Sequence, residues 1–157
     1  MTAPTASHPL LGHGFFWQDL EVGQRFQTFN RTVTETDLVN FISVTGMLEA
    51  IFIDAEGAAG AIGGRPVPAA LTYSLIEGFI LQTMIQGTGL AMLECTQKVV
   101  GPVRVGDTIH AVVEVAAVRP TSKGNRGIVV SKIDIKNQNG EVVITYEATR
   151  MLAGKSK

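Results

Sequence analysis

A single cysteine, Cys95, stands in the 157 residues, which excludes an internal disulfide. No metal-ligand spacing surrounds it, so no metal is assigned. A reducing compartment, the cytoplasm, is the expected location. Charge is scarce as well. Asp, Glu, Lys and Arg make up 17% of the chain, against roughly 25% in an average globular protein. The net charge is −1, which lacks the basic footprint of a nucleic-acid binder. Few charges leave apolar surface for another subunit to cover. The longest apolar stretch, residues 66–85, is interrupted by Thr72, Ser74, Glu77 and Gln82. It predicts a buried helix rather than a membrane span. Residues 1–8 show no basic region followed by an apolar one, so no signal peptide is expected. No internal repeat is visible.

What is present orders itself into one domain. Residues 1–16 carry Pro4, Pro9, Gly12 and Gly14 and predict a flexible arm. Residues 17–153 form the domain, and residues 154–157 are expected to fray. A strand is expected over 25–33. Thr34 followed by Asp37 predicts a helix cap, and Leu38, Phe41 and Ile42 mark one buried helical face ending at Gly46. The Gly- and Ala-rich segment 47–64 predicts a loop with a short helix near 54–61. A long helix over 69–86 is apolar on nearly every face and should be wrapped by other structure. Strands are expected at 93–100, 108–119, 128–136 and 141–152. Within 128–136, Val129, Ser131, Ile133 and Ile135 alternate with Lys132, Asp134 and Lys136, the pattern of a half-solvated strand. Asn139-Gly140 is a two-residue hairpin signal. A long helix followed by antiparallel strands is an α+β arrangement.

The segment Phe41 to Asp54 resembles the motif F-x-x-x-[ST]-G-D-x-N-P-x-H-x-D of the MaoC-like family of dehydratases and (R)-specific enoyl-CoA hydratases. Phe41, Thr45, Gly46 and Asp54 fit without a gap. Gly64-Arg65-Pro66-Val67-Pro68-Ala69-Ala70-Leu71 is similar to the family's G-R-x-[IV]-A-H-G-M segment. Residues 20–23, 34–38, 102–109 and 137–143 add shorter likenesses in the family's order. The resemblance implies a hotdog fold, an antiparallel sheet wrapped around a long central helix. It also implies acyl-CoA or enoyl-CoA thioesters as ligands, with coenzyme A part of the ligand and no separate cofactor.

The reactive residues of the motif are missing. The family's catalytic aspartate falls at Met47 and its histidine at Phe52, while Glu49 and Ala50 replace the asparagine and proline. Hydration of an enoyl thioester needs a base for water, an acid for the α-carbon and donors for the enolate oxygen. Met47 and Phe52 exchange no protons. A backbone N–H at the helix start does not depend on a side chain, and Ala70 is the expected oxyanion donor. Glu49 is the carboxylate left in the motif: either a base that activates water, as in hotdog thioesterases, or a solvated loop residue. Asp54 is expected to cap a helix rather than to catalyse.

Leu48, Ile51, Ala69 and Tyr73 are expected to line an acyl pocket, with plain core packing as the alternative for each. His110 is expected on a strand surface, and His8 and His13 fall in the arm. Cys95 is expected to be a packed thiol. Arg65, Arg104, Lys123 and Arg126 are candidates for the phosphates of coenzyme A.

Three functions stay open at this point. One is a thioester-binding hotdog protein related to the hydratases but without their dyad. Another is a non-catalytic subunit beside an active hotdog hydratase. The last is a thioesterase or altered lyase using Glu49. A homodimer or larger oligomer is expected in each case, without nucleic acid or membrane.

Overall fold

The computed structural model describes residues 8–156. The elements run β1 (Arg25–Gln27), β2 (Arg31–Thr32), α1 (Glu35–Thr45), α2 (Ala50–Ile53) and α3 (Ala69–Thr83). Four long strands follow: β3 (Gly89–Val99), β4 (Thr108–Pro120), β5 (Arg126–Lys136) and β6 (Val142–Ala153). They form an antiparallel sheet in the order β1-β4-β5-β6-β3, with β2 paired to β4.

Alternation sets the buried face of this sheet. Ile109, Ala111, Val113 and Val115 of β4 point inward with Val129, Ser131, Ile133 and Ile135 of β5. Ile144, Tyr146, Ala148, Arg150 and Leu152 do the same on β6. Leu71, Ile76 and Ile80 of α3 join them in one apolar cluster with Leu38 and Ile42 of α1. At about 25 cal/mol per Å² of apolar surface removed from water, this cluster is the main force holding α3 to the sheet.

Several expectations need correction. The helix predicted over 69–86 ends at Thr83, and it is wrapped on one side only. Ser74, Leu81 and Gln82 are exposed, because no element among the described residues covers that face. The strand expected over 25–33 is two short strands; between them the Thr28 hydroxyl accepts from Ala111 N–H at 2.9 Å. In place of one helix near 54–61, α2 ends just before that range and a 3-10 segment, Ala58–Ile62, occupies its second half. The Asn139-Gly140 turn takes one residue more than expected. Gly140, with φ 77°, supplies the left-handed position, and Asn137 N–H bonds the Glu141 carbonyl at 3.0 Å.

Residues 1–7 of the predicted arm lie outside the described residues, and Gly14 and Phe15 near its end are held in place. Gly14 N–H donates to Gln86 O and Phe15 N–H to Met84 O, both at 2.8 Å. A Cβ on Gly14 would meet Gln86 N at 2.6 Å, so glycine permits this approach. The tail is also held where described. Gly154 N–H donates to Asn125 O at 2.9 Å, and Lys155 pairs with Asp19. Both segments are fixed by backbone hydrogen bonds that composition does not reveal.

Candidate functional site

Gly46, at φ 74°, ends α1 and turns the chain into the loop that carries the motif's degenerate positions. Met47 is 40% exposed in that loop. Phe52 lies in α2 and packs against the core. The neighbouring carboxylates are occupied by backbone. Glu49 is exposed and caps α2, accepting from Ile51 N–H at 2.9 Å. Asp54 follows α2 and accepts from Glu56 N–H at 3.0 Å and Gly57 N–H at 2.9 Å. It caps the turn after the helix rather than a helix of its own.

The start of α3 is held beside this loop. Val67 N–H donates to Val103 O at 2.7 Å, and Pro66 bridges Arg104. Pro68 occupies the cap position without a side-chain bond. The N–H groups of Ala69 and Ala70 therefore sit in the first turn, where no carbonyl of the helix accepts them and the helix dipole is positive. Ala69 and Tyr73 are half-buried against the core, Ile51 is half-buried, and Leu48 is exposed.

The four basic candidates divide. Arg65 donates to Phe52 O at 3.1 Å and pairs with Glu35 at 2.7 Å. Arg104 donates to Ile62 O at 2.6 Å. Both stand at the α3 start, and both serve to hold loops. Lys123 and Arg126 flank the β4–β5 turn, which meets Gly154 and the far end of the sheet. The 13 residues of β4 put roughly 40 Å between the two groups at about 3.3 Å per residue. In one chain they cannot hold the same phosphate.

Sequence reasoning missed the buried polar cluster beside α3. Glu77 is 8% exposed. Its Oε1 accepts from the Tyr146 hydroxyl at 2.6 Å and from the Arg150 guanidinium. Tyr73 meets Tyr146 edge to face, with ring centroids 5.1 Å apart. Burial, then the Glu77 charge, pushes the Tyr73 phenol up to about 12. Burial and then Glu77 also push Tyr146 upward, so at neutral pH both phenols keep their protons, and the Tyr146 hydroxyl donates its own to Glu77. Tyr73, Glu77 and Arg150 line a cleft of about 720 Å³ whose other wall includes Leu81, Leu90 and Met92. The signal available was Glu77 itself, the one charged residue in the sequence of α3, because lone buried charges need partners.

Other expectations concern isolated residues. Cys95 is exposed rather than packed, because β3 is an edge strand with every residue exposed. Its Sγ lies 3.9 Å from the Tyr73 hydroxyl. His110 is half-buried on β4, and His8 and His13 are exposed. Among the described residues, no three His, Cys, Asp or Glu side chains gather as metal ligands. No helix there is long and apolar enough to cross a membrane.

An antiparallel sheet folded on one central helix, with the helix start beside an overhanging loop, defines a hotdog-fold protein. A family model for the FAS1-like dehydratase domain region matches residues 21–146, and the chain belongs to that family. It is similar to MaoC-like dehydratases and (R)-specific enoyl-CoA hydratases. It is 28% identical over 111 residues to a 3-hydroxybutyryl-CoA dehydratase of Methylorubrum extorquens, covering 71% of this chain and 70% of that one. An (R)-hydratase of Pseudomonas aeruginosa in unliganded form has a similar structure. Its TM-score is 0.74 at 28% identity, over 90% of this chain and 88% of that one. A Mycobacterium tuberculosis protein described as a double hotdog fold matches at TM-score 0.83 and 18% identity, over 92% of this chain and 46% of that one. The last likeness concerns the fold alone.

Proposed function

We propose that this chain binds acyl-CoA or enoyl-CoA thioesters on a hydratase scaffold without performing the family's Asp/His hydration. One observation carries the reading: Met47 and Phe52 stand where the two proton-transfer groups belong, and the carboxylates beside them cap backbone. The names of its relatives support thioesters as the ligand class. The open first turn of α3 supports Ala70 N–H as the donor to the thioester oxygen. The capping role of Glu49 weighs against a thioesterase that uses it as base.

A second reading, the non-catalytic subunit, is favoured by the edge of β3, which is unpaired among the described residues. That edge suits another hotdog sheet, either a second copy or an active relative.

The test has two parts. The purified chain should not hydrate crotonyl-CoA, since one lost acid–base group costs about 10² to 10⁴ in rate and two are absent. The same preparation should melt at a higher temperature with saturating octanoyl-CoA. Rapid hydration would refute the missing-dyad reading, and an unchanged melting temperature across acyl-CoA thioesters would refute thioester binding.

A further inference from the structure

The side chains along β3 alternate between the two faces of the sheet. Residues directly opposite one another on neighbouring strands share a face. Glu94, Thr96 and Lys98 lie opposite Thr149, Glu147 and Thr145 of β6, so they stand on the outer face. Cys95, Gln97 and Val99 lie opposite Ala148, Tyr146 and Ile144, which are buried, so they stand on the inner face. A row of alternating charge crosses the outer face. Arg25, Glu114, Lys132 and Glu147 oppose one another in turn and end on Thr96 at the edge. Thr96 is neutral, and opposite charges, Glu94 and Lys98, flank it two residues away on the same face.

That arrangement is complementary to itself. A two-fold axis at a sheet edge pairs residue i with j and j with i, and the paired residues share a face. With Glu94 on the axis, Glu94 would face the partner's Glu94. With Cys95 on it, Lys98 would face the partner's Met92. With Gln97 on it, Glu94 would face the partner's Val100, past the strand. With Thr96 on the axis, each Glu94 faces the partner's Lys98, Thr96 faces the partner's Thr96, and the bare Leu93 faces the partner's Val99. Opposite charges and Thr–Thr pairs across strands are stabilising, and like charges are not. The paired stretch also begins where the ladder to β6 breaks register, between Met92 and Glu94, and such irregularities end regular pairing.

We propose that the partner of this edge is a second copy of the chain, joined antiparallel along residues 93–99, with Thr96 on the two-fold axis and a Glu94–Lys98 ion pair on either side of it. Cys95, whose Sγ lies 3.9 Å from the Tyr73 hydroxyl, then has the partner's Gln97 opposite it. Each copy so brings an amide to the Tyr73 edge of the other's cleft.

Charge reversal tests the register by analytical ultracentrifugation of the purified full chain. Glu94→Lys alone and Lys98→Glu alone each set like charges opposite one another at both pairs, and each should weaken the dimer by about tenfold or more. Mixed in equal amounts, the two variants should dimerise about as tightly as the wild type, because each reversed site then faces an opposite charge. Single reversals that leave the dimer unchanged, or a mixture of folded variants no tighter than its components, would overturn the register. Disulfide trapping checks it independently. Directly opposed Cα atoms lie about 4.5–5.5 Å apart, within disulfide reach. Diamide, which takes up the two thiol hydrogens as the S–S bond forms, should therefore cross-link Cys95→Ser/Thr96→Cys into a covalent dimer. The wild type, whose Cys95 faces the partner's Gln97, should stay uncross-linked. Cross-linking of the wild type, or none in Cys95→Ser/Thr96→Cys, would place the axis elsewhere. A wild type that sediments as a monomer at micromolar concentration would overturn the pairing altogether.

Discussion

Taking Glu77 out of water is costly, and Arg150 and Tyr146 offset that cost with two charge-assisted hydrogen bonds. The offset is mutual, so the pair is fragile to the loss of one member. Glu77→Ala should destabilise the fold by about 3–5 kcal/mol, because it leaves Arg150 charged, buried and unpaired. Glu77→Leu/Arg150→Leu should cost far less, since apolar replacement of a buried pair is often neutral. Urea unfolding of both variants checks this, and equal destabilisation would count against an ion pair as the mutual support. The cluster was illegible in the sequence. Its members lie 69 and 73 positions apart, and each sits inside a pattern that predicts something simpler. Glu77 interrupts an apolar helix, and Arg150 falls in an alternating strand. The degenerate dyad was legible because Met47 and Phe52 lie within one contiguous motif.

At the scale of elements, α1 is held at its start by a reciprocal cap. The Thr34 hydroxyl accepts from Asp37 N–H at 3.2 Å, and Asp37 accepts from Thr34 N–H at 2.9 Å. Arg31 adds a bond to the same carboxylate at 2.8 Å. Burial opposes ionisation of Asp37. The Thr34 N–H, its hydroxyl and Arg31 outweigh it and hold the carboxyl below its ordinary range. Asp19 is lowered as well, first by its bond from Lys155. A depressed carboxyl contributes stability that is complete above its unfolded value and lost as pH falls through the folded one. Stability should therefore decline as pH drops below about 4, and Asp37→Asn should flatten that decline. Thr34→Ala should cost about 1 kcal/mol at neutral pH. Unfolding measured from pH 7 down to about pH 2 tests both, and an unaltered acid slope in Asp37→Asn would exclude Asp37 from it. This cap, the stop at Gly46 and the alternation of β5 were all legible, because each is a local pattern with a local physical cause. The split of the first strand and the identity of α2 were not. They depend on Thr28 meeting β4 and on Arg65 tying α2 to α1.

The molecule as a whole is unfinished on one side. Among the described residues every residue of β3 is exposed, it pairs with β6 alone, and Leu90, Met92, Leu93 and Val99 stand bare. Isolated edge strands are usually short, charged or covered; this one has 11 residues, with Glu94 and Lys98 its two charges. The uncovered face of α3 lies beside it across the cleft. One partner sheet along β3 would satisfy its free N–H and C=O groups and cover the apolar side chains together. The expected partner in a purified sample is a second copy, whose β3 brings the same need. Light scattering at micromolar concentration should therefore give twice the monomer mass of 16.7 kDa. Leu93→Lys/Val99→Lys places charge on the edge and should shift the mass toward the monomer, with the fold retained by circular dichroism. Because β3 also walls the cleft, the monomeric variant should gain less thermal stability from octanoyl-CoA than the wild type. A wild type that scatters as a clean monomer would contradict this pairing.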